Sequence, residues 1–431
     1  MDFVKNIFKG DKVIWIIFLF LCVISIIEVF SAASTLTYRT GDHWGPITQH
    51  SIFILFGWGI VVLFHNIPYK WFQVFPLFLL PISTILLAFV TVMGAITGDY
   101  VNGAARWMTF FGIQFQPSEL AKMAVIIATA YHLSREQNED GAGPKAFKYI
   151  MIITGMIVFL IAPENLSTAM LLFGVVVLMM IIGRVSWKKL FKLFGYLSLG
   201  AALIVGLSFI VPKEAKIPFL HRVPTWVNRI VNFTENEEIP ASKFDIDKDG
   251  QVGHARIAIA TSHLVGKGPG NSVERDFLSQ AFSDFIFAII IEELGLLGGG
   301  FVVVLYIWIL IRAGKIAQKC NRTFPAFLVM GIALLLVSQA LLNMMVAVGL
   351  FPVTGQPLPL ISKGGTSTLV NCAYIGMILN ISQYTAHLEE EKKAAEAAET
   401  ERLRALEEEM ALMTAAEPTS AILNSDAEFE N

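Results

Sequence analysis

Long apolar runs separated by short polar breaks dominate the chain, at about residues 13–33, 47–64, 72–94, 117–133, 147–162, 166–183, 190–211, 284–312, 324–351 and 365–386. A helix rising 1.5 Å per residue needs about 20 such residues to cross a hydrocarbon layer about 30 Å thick. Runs apolar on every face, not along one stripe, belong to helices that meet lipid or one another. The pattern therefore predicts an all-α polytopic membrane protein with ten transmembrane helices. The long polar stretch 212–283 then forms a large loop between helices 7 and 8. Ser31-Ala32-Ala33 has the small residues of a signal-peptide cleavage site, but the first run exceeds the 7 to 15 residues of a signal core. It reads as a retained helix.

Composition strengthens this picture. The 431 residues are 55% hydrophobic and 16% charged, against about 25% charged in soluble domains, and mean hydropathy is +0.62. From Glu389 to Asn431 there are thirteen acidic and four basic residues, a net of −9, so the rest of the chain carries +6. The loops on the side of the N-terminus hold fifteen Lys and Arg, among them Lys12, Lys70, Arg135, Arg184, Lys188 and Arg312, whereas the short loops opposite hold three, Arg39, Arg106 and Lys363. By the positive-inside rule both termini are cytoplasmic and 212–283 is extracytoplasmic. The chain divides into a transmembrane domain, 1–386, and an acidic cytoplasmic tail, 387–431, helical over His387–Met413 and then disordered. No basic stripe points to nucleic acid, and the three cysteines have neither disulfide nor zinc spacing.

The chemistry concentrates in Phe277–Gly298, where Asp284, Glu292 and Glu293 interrupt an apolar run. On a straight helix the glutamates lie roughly 12 to 14 Å below Asp284. With Asp284 at the surface they approach mid-bilayer, where a charge costs about 2.5 to 3.5 kcal/mol or more and marks a functional or buried site. Before the fourth run stand Arg106 and Trp107, then Pro117-Ser118-Glu119, a helix start with its acid in the favourable first turn. Glu119 and Lys122 share a face and can pair. Pro163–Thr168 and Gly349–Thr368 read as irregular connections, tolerated at membrane depth only against protein or a wet cavity. Within the long loop, Ile217–Ile230 has the mixture of a surface amphipathic helix. Asp245–Gly250 opens like a calcium loop, but Arg256 stands where a bidentate Glu is needed. His254 and His263 lack a third zinc ligand. Gly266–Gly270 misses the phosphate-loop spacing and reads as a tight turn.

Taken together, Gly103–Trp107, Gln116–Lys122, Glu164–Ala169, Gly266-Lys267-Gly268, Asp284–Phe287, Glu292–Gly295, Pro352–Gly355 and Leu358–Ser362 resemble, in order, the SEDS family, the FtsW and RodA peptidoglycan polymerases of bacteria. Departures include Phe282 for His, Ser283 for Thr, Ala105 for a second Arg and Lys363 for Tyr. The opening Gly10–Trp15 and the long tail incline the resemblance to the division-type branch, FtsW, over the elongation-type RodA. The resemblance implies a glycosyltransferase in the bacterial cytoplasmic (inner) membrane, at the septum, that polymerises lipid II. Its implied partners are a class B penicillin-binding protein and other division proteins. A lipid II flippase is the alternative from another class.

The resemblance puts the essential aspartate at Asp284 and the functional tryptophan at Trp107, with Glu119, Lys122 and Ser362 at the substrate. Joining two lipid-linked disaccharides with inversion needs one base on the acceptor hydroxyl and positive charge at the leaving pyrophosphate. Asp284 is the candidate base, its pKa expected to be raised by desolvation. Arg106, Lys122 and Lys363 are candidates for the cation clamp, with Lys267 and Arg275 behind them. The sequence names no cofactor with certainty, and a divalent ion, magnesium or manganese, would suit a pyrophosphate. Glu292 and Glu293 are expected to support the bundle.

Overall fold

A computed structural model describes residues 9–32, 45–97, 107–110, 113–210, 246–278 and 281–415. Arg106, Asp245, the Ile217–Ile230 segment and the end of the tail lie outside these residues. Ten helices cover the ten apolar runs: α1 (Lys12–Ala32), α2 (Gly45–Asn66), α3 (Phe75–Thr97), α4 (Pro117–Arg135), α5 (Pro144–Ile161), α6 (Leu166–Ile182), α7 (Trp187–Ile210), α9 (Ile286–Lys319), α10 (Thr323–Ala347) and the first part of α11 (Thr366–Ala415). A further helix, α8 (Ile246–Ala260), lies in the long loop. Short antiparallel hairpins, β1–β2 (Met108–Phe110, Ile113–Phe115) and β3–β4 (Gln137–Asn138, Gly141–Ala142), flank α4. Two compact units result, Met1–Ser382 and Gln383–Asn431.

Among the described residues six helices are long and apolar enough to cross a membrane: α1, α5, α9, α10 and most of α2 and α3. The outer helices turn large apolar side chains outward, such as Leu55, Phe56, Leu77, Ile85 and Phe191, a surface suited to lipid and not to water. The innermost helix, α4, is different. It packs against α3, α5, α6 and α10 and carries Glu119 and Lys122 fully inside. Small residues let the helices approach closely: a methyl group on Gly331 would sit 2.5 Å from Met179 Cε, and one on Gly376 would sit 2.7 Å from Phe64 Cβ.

Helix ends fix the register. Asp11 caps α1, its Oδ1 accepting from Val13 N at 2.8 Å, and its other oxygen takes Arg312 Nε at 2.9 Å. At this basic end Ser134 and Thr323 join α4 to α10 at 2.8 Å. At the opposite end Ser31, one residue from the close of α1, donates to Glu293. Between them Phe20 and Phe301 meet edge to face at 5.6 Å. Helices α1 and α9 thus run antiparallel along their whole shared length.

That register corrects the picture of 284–312 as one straight span. Gly295 has φ 74° and ψ −177°, so α9 is two helices, Ile286–Leu294 and 296–319. The second alone, 24 residues or about 36 Å, is long enough to cross. Glu292 and Glu293 therefore lie at the rim, level with the end of α1, and not at mid-bundle below Asp284. Gly295 locks against Gly266 (φ 79°) of the loop. Lys267 N donates to Glu292 O at 3.0 Å, Gly268 N to Glu293 O at 2.8 Å, and Leu296 N and Leu297 N to His263 O and Leu264 O at 3.2 Å each. The glycine turn expected at Gly266–Gly270 is the contact surface of this joint. The residues after Asp245 in the calcium-like stretch are helical, the start of α8.

Candidate functional site

Asp284 sits half-buried in the turn just before α9. Its Oδ1 accepts from Ser283 Oγ at 3.0 Å and its carbonyl accepts from Asn343 Nδ2 of α10 at 2.8 Å. The neighbouring carbonyls are held by the α10–α11 connection: Ser362 Oγ donates to Ser283 O at 2.6 Å, and Lys363 N donates to Phe282 O at 3.0 Å. That connection dips into the bundle, where Tyr306 donates to Pro359 O and Ser25 to Ile361 O at 2.6 Å. Leu360 within it adopts φ 66°, a left-handed conformation that a branched residue keeps only where its surroundings enforce it.

Proline at the first position and an acid in the first turn start α4, so Glu119 and Lys122 fall on one face. Their expected pair forms, Lys122 Nζ to Glu119 Oε1 at 2.9 Å, with both side chains buried. Lys122 Nζ also donates to Gln339 Oε1 at 2.9 Å. Gln339 Nε2 passes the link to Pro357 O at 3.1 Å, and Asn343 Nδ2 reaches Gln356 O at 2.7 Å. Gln356 in turn donates to Thr168 Oγ1 of α6 at 2.6 Å, beside the Asn165 cap. Four buried side-chain oxygens here, Glu119 Oε2, Asn343 Oδ1, Thr354 Oγ1 and Gln356 Oε1, have no hydrogen-bond partner among the described residues. Unsatisfied buried polar atoms are rare and gather at sites of function. Next to them a cleft lined by Leu87, Val90, Gln116, Ser118, Ile161 and Asn165 opens between α3, α4 and the α5–α6 turn.

The remaining sequence-derived candidates divide. Lys363 is half-buried with its Nζ 5.7 Å from the centre of the Phe282 ring, and burial lowers its pKa from the usual lysine range. Trp107 is 37% exposed at the entry to β1. Ser362 is engaged on both sides by protein, since it also accepts from Leu358 N at 2.7 Å. Lys267 and Arg275 are held away from the Asp284 turn, at the glutamates: Lys267 Nζ is 2.6 Å from Glu292 Oε1, and Arg275 Nη1 donates to Ser31 Oγ at 2.8 Å and lies 3.8 Å from Glu293 Oε1. Glu293 also accepts from Gly270 N at 2.9 Å and Ser272 N at 3.2 Å, and Glu292 accepts from Val273 N at 3.1 Å and from Ser272 Oγ. His254, the first of the two histidines without a third ligand, is bonded to Glu274 at 2.6 Å. Among the described residues no three His, Cys, Asp or Glu side chains gather as metal ligands.

Sequence reasoning passed over Gln339, Asn343, Gln356 and Glu28. The first two carried a signal, two amides at i, i+4 in an otherwise apolar run. Glu28, fully buried in α1 with neither carboxyl oxygen hydrogen-bonded among the described residues, carried the same kind of signal.

The arrangement brings together an acid, a buried amine and a strained connection at the end of the bundle opposite the basic loops. Solved structures share this fold. A chain from a peptidoglycan synthase complex, described as coordinating polymerization and crosslinking, aligns at TM-score 0.68 and 22% identity over 88% of this chain and 99% of that one. The rod shape determining protein RodA of Thermus thermophilus aligns at TM-score 0.59 and 22% identity over 88% and 98%. Curated relatives named probable peptidoglycan glycosyltransferase FtsW include that of Halomonas elongata, 31% identical over 84% of this chain and 87% of the relative. Those of Geobacter sulfurreducens and Enterococcus hirae are 28% and 29% identical over 88% and 87% of this chain and 96% and 93% of theirs. The family model for FtsW, RodA and SpoVE, described as cell cycle protein, matches residues 11–387. From the first helix into the last, the chain belongs to the FtsW/RodA/SpoVE family of cell cycle proteins.

Proposed function

We propose that this protein is a peptidoglycan glycosyltransferase that polymerises lipid II into glycan strands at the outer face of the bacterial cytoplasmic membrane, in septal wall synthesis. The observation that carries the reading is the half-buried Asp284 turn, tied through α10 and the 356–363 connection to the buried Glu119–Lys122 pair, in a chain whose relatives bear that enzyme's name. In this reading ten helices cross the membrane, both termini are cytoplasmic, and the site faces outward. Polar contacts crowd one end of the bundle, which favours surface chemistry over a flippase path that needs polar groups at both faces.

Asp284 acts as general base. It takes the proton of the acceptor sugar hydroxyl as the oxygen attacks the anomeric carbon of the donor. The donor's C–O bond to pyrophosphate breaks on the opposite side, and the configuration inverts. The clamp for the departing pyrophosphate narrows to Lys363 and Arg106, because Lys122 is paired to Glu119, and Lys267 and Arg275 are engaged by the rim carboxylates. A lowered lysine pKa is no obstacle at neutral pH, since a pyrophosphate close to Lys363 favours its charged form. Magnesium or manganese enters only as a companion of the substrate's pyrophosphate. A class B penicillin-binding protein is the proposed crosslinking partner, alongside other division proteins.

The test incubates the full-length protein and its penicillin-binding partner with fluorescent lipid II and resolves products on a gel. Long strands from wild type and none from Asp284→Asn are expected. Strands of normal yield from Asp284→Asn would remove Asp284 from the chemistry, and transport without polymer would favour the flippase.

A further inference from the structure

Gln339 and Asn343 are one helical turn apart on α10, so their side chains share a face with about 6 Å between them along the axis. Both are buried, at 2% and 1% exposure. A carboxamide carries donors and an acceptor at once and can join two segments. Here both amides converge on the same two residues of the connection: Gln339 donates to Pro357 O at 3.1 Å and Asn343 to Gln356 O at 2.7 Å. Their remaining bonds diverge. Gln339 Oε1 accepts from the Lys122 ammonium at 2.9 Å, and the second hydrogen of Asn343 Nδ2 is donated to the Asp284 carbonyl at 2.8 Å. An amide placed only to fill a polar gap would satisfy whichever carbonyl lay nearest. This pair instead spans from the base's main chain to the buried amine, with the 356–357 segment as common anchor.

We propose that Gln339 and Asn343 are positioning residues of the transferase site, holding the Asp284 turn and the Lys122 ammonium at one spacing across the Gln356–Pro357 segment. The inference rests on the polymerase reading above. Neither side chain is assigned to touch substrate. Asn343 sets where the Asp284 carboxylate emerges, and Gln339, braced by Lys122, holds the 356–357 segment on which Asn343 is anchored. Misplacing a catalytic group by about 1 Å costs up to about 100-fold in rate, so loss of either amide is expected in kcat and not in substrate binding.

The experiment measures initial rates of polymerisation of fluorescent lipid II, across substrate concentration and pH, for the full-length wild type, Asn343→Leu, Gln339→Leu and Asn343→Asp. The two leucine variants should lose about 10- to 100-fold in kcat with KM within about threefold and a near-normal unfolding midpoint. A carboxyl group donates a hydrogen bond only when protonated. The rate of Asn343→Asp relative to wild type should therefore rise as pH falls from about 8 to about 5.5, within reach of a buried carboxyl, whereas a purely packing role predicts a flat ratio. Wild-type kcat in the leucine variants, or that flat ratio, overturns the inference. If a leucine variant does not fold, the pH ratio decides alone. A wild type that leaves lipid II unpolymerised overturns both the inference and the function, while an active wild type with unmoved variants overturns the inference alone.

Discussion

Replacing Gly295 by alanine should loosen the long loop without unfolding the bundle. A Cβ at this position would lie 2.3 Å from Leu264 O and 2.5 Å from Gly266 N, both backbone atoms that no rotamer change can move aside. The backbone itself, at φ 74° and ψ −177°, falls in a region essentially reserved for glycine, costing about 1 to 3 kcal/mol for any other residue. Relief requires parting the loop from the helix break, which gives up four main-chain hydrogen bonds, at Lys267, Gly268, Leu296 and Leu297. At about 0.5 to 1.5 kcal/mol net each, these amount to about 2 to 6 kcal/mol. The cheaper path sets the outcome, so the joint weakens by about 2 to 3 kcal/mol, or roughly 30- to 150-fold in its opening equilibrium. Hydrogen exchange at those four amides should accelerate by that factor, and trypsin should cut sooner after Lys267 and Arg275. Exchange between α4 and α10 should stay as it was. Protection at the four amides within about threefold of wild type would refute the reasoning, because it would mean that the glycine contact is not what fastens the loop.

Two further perturbations separate paired from unpaired charges. Lys122→Met or Glu119→Gln alone strands a buried partner and should cost about 3 to 5 kcal/mol, whereas the double variant should cost less than either; unfolding midpoints in detergent that fall equally in all three would point to a catalytic role instead. Glu292→Gln should release the 270–274 segment at a cost of about 2 to 3 kcal/mol, since a charged acceptor of hydroxyl and amide donors is lost. Lys267→Met, removing a partly exposed cation from the same carboxylate, should cost under about 1 kcal/mol. Exchange protection of Val273 N compares the two, and a larger effect of Lys267→Met would contradict this ranking.

What the sequence conveyed follows from how each feature is encoded. Ten apolar runs announce ten helices because burial in lipid or protein needs side-chain hydrophobicity, which residue type displays directly. The Glu119–Lys122 pair was legible for a similar reason, a spacing of three on one helix. The break at Gly295 was not legible. It depends on main-chain atoms of Leu264 and Gly266, about thirty residues upstream, and a lone glycine in an apolar run looks like any packing glycine. The support of Glu292 and Glu293 was hidden likewise, since several of their donors are backbone N–H groups that every non-proline residue owns.

The three acids of Phe277–Gly298 show how far residue type misleads when the chain bends. On a straight helix Asp284 stands at the mouth and the glutamates lie deep, and depth alone then makes the glutamates the costlier and more suspicious charges. The fold reverses the emphasis. Glu292 and Glu293 sit at the rim with Lys267, Arg275 and a row of amides around them, so their charge is compensated where it stands. Asp284 is held by its own carbonyl and by the carbonyls before it, and its carboxylate accepts from Ser283 next to it, so the main chain does much to fix where the residue lies. A base must be positioned and still able to react. Fastening it largely through the main chain serves both demands, whereas the rim carboxylate of Glu292, taken up by Lys267, Ser272, Val273 and Glu274, is committed to holding the loop.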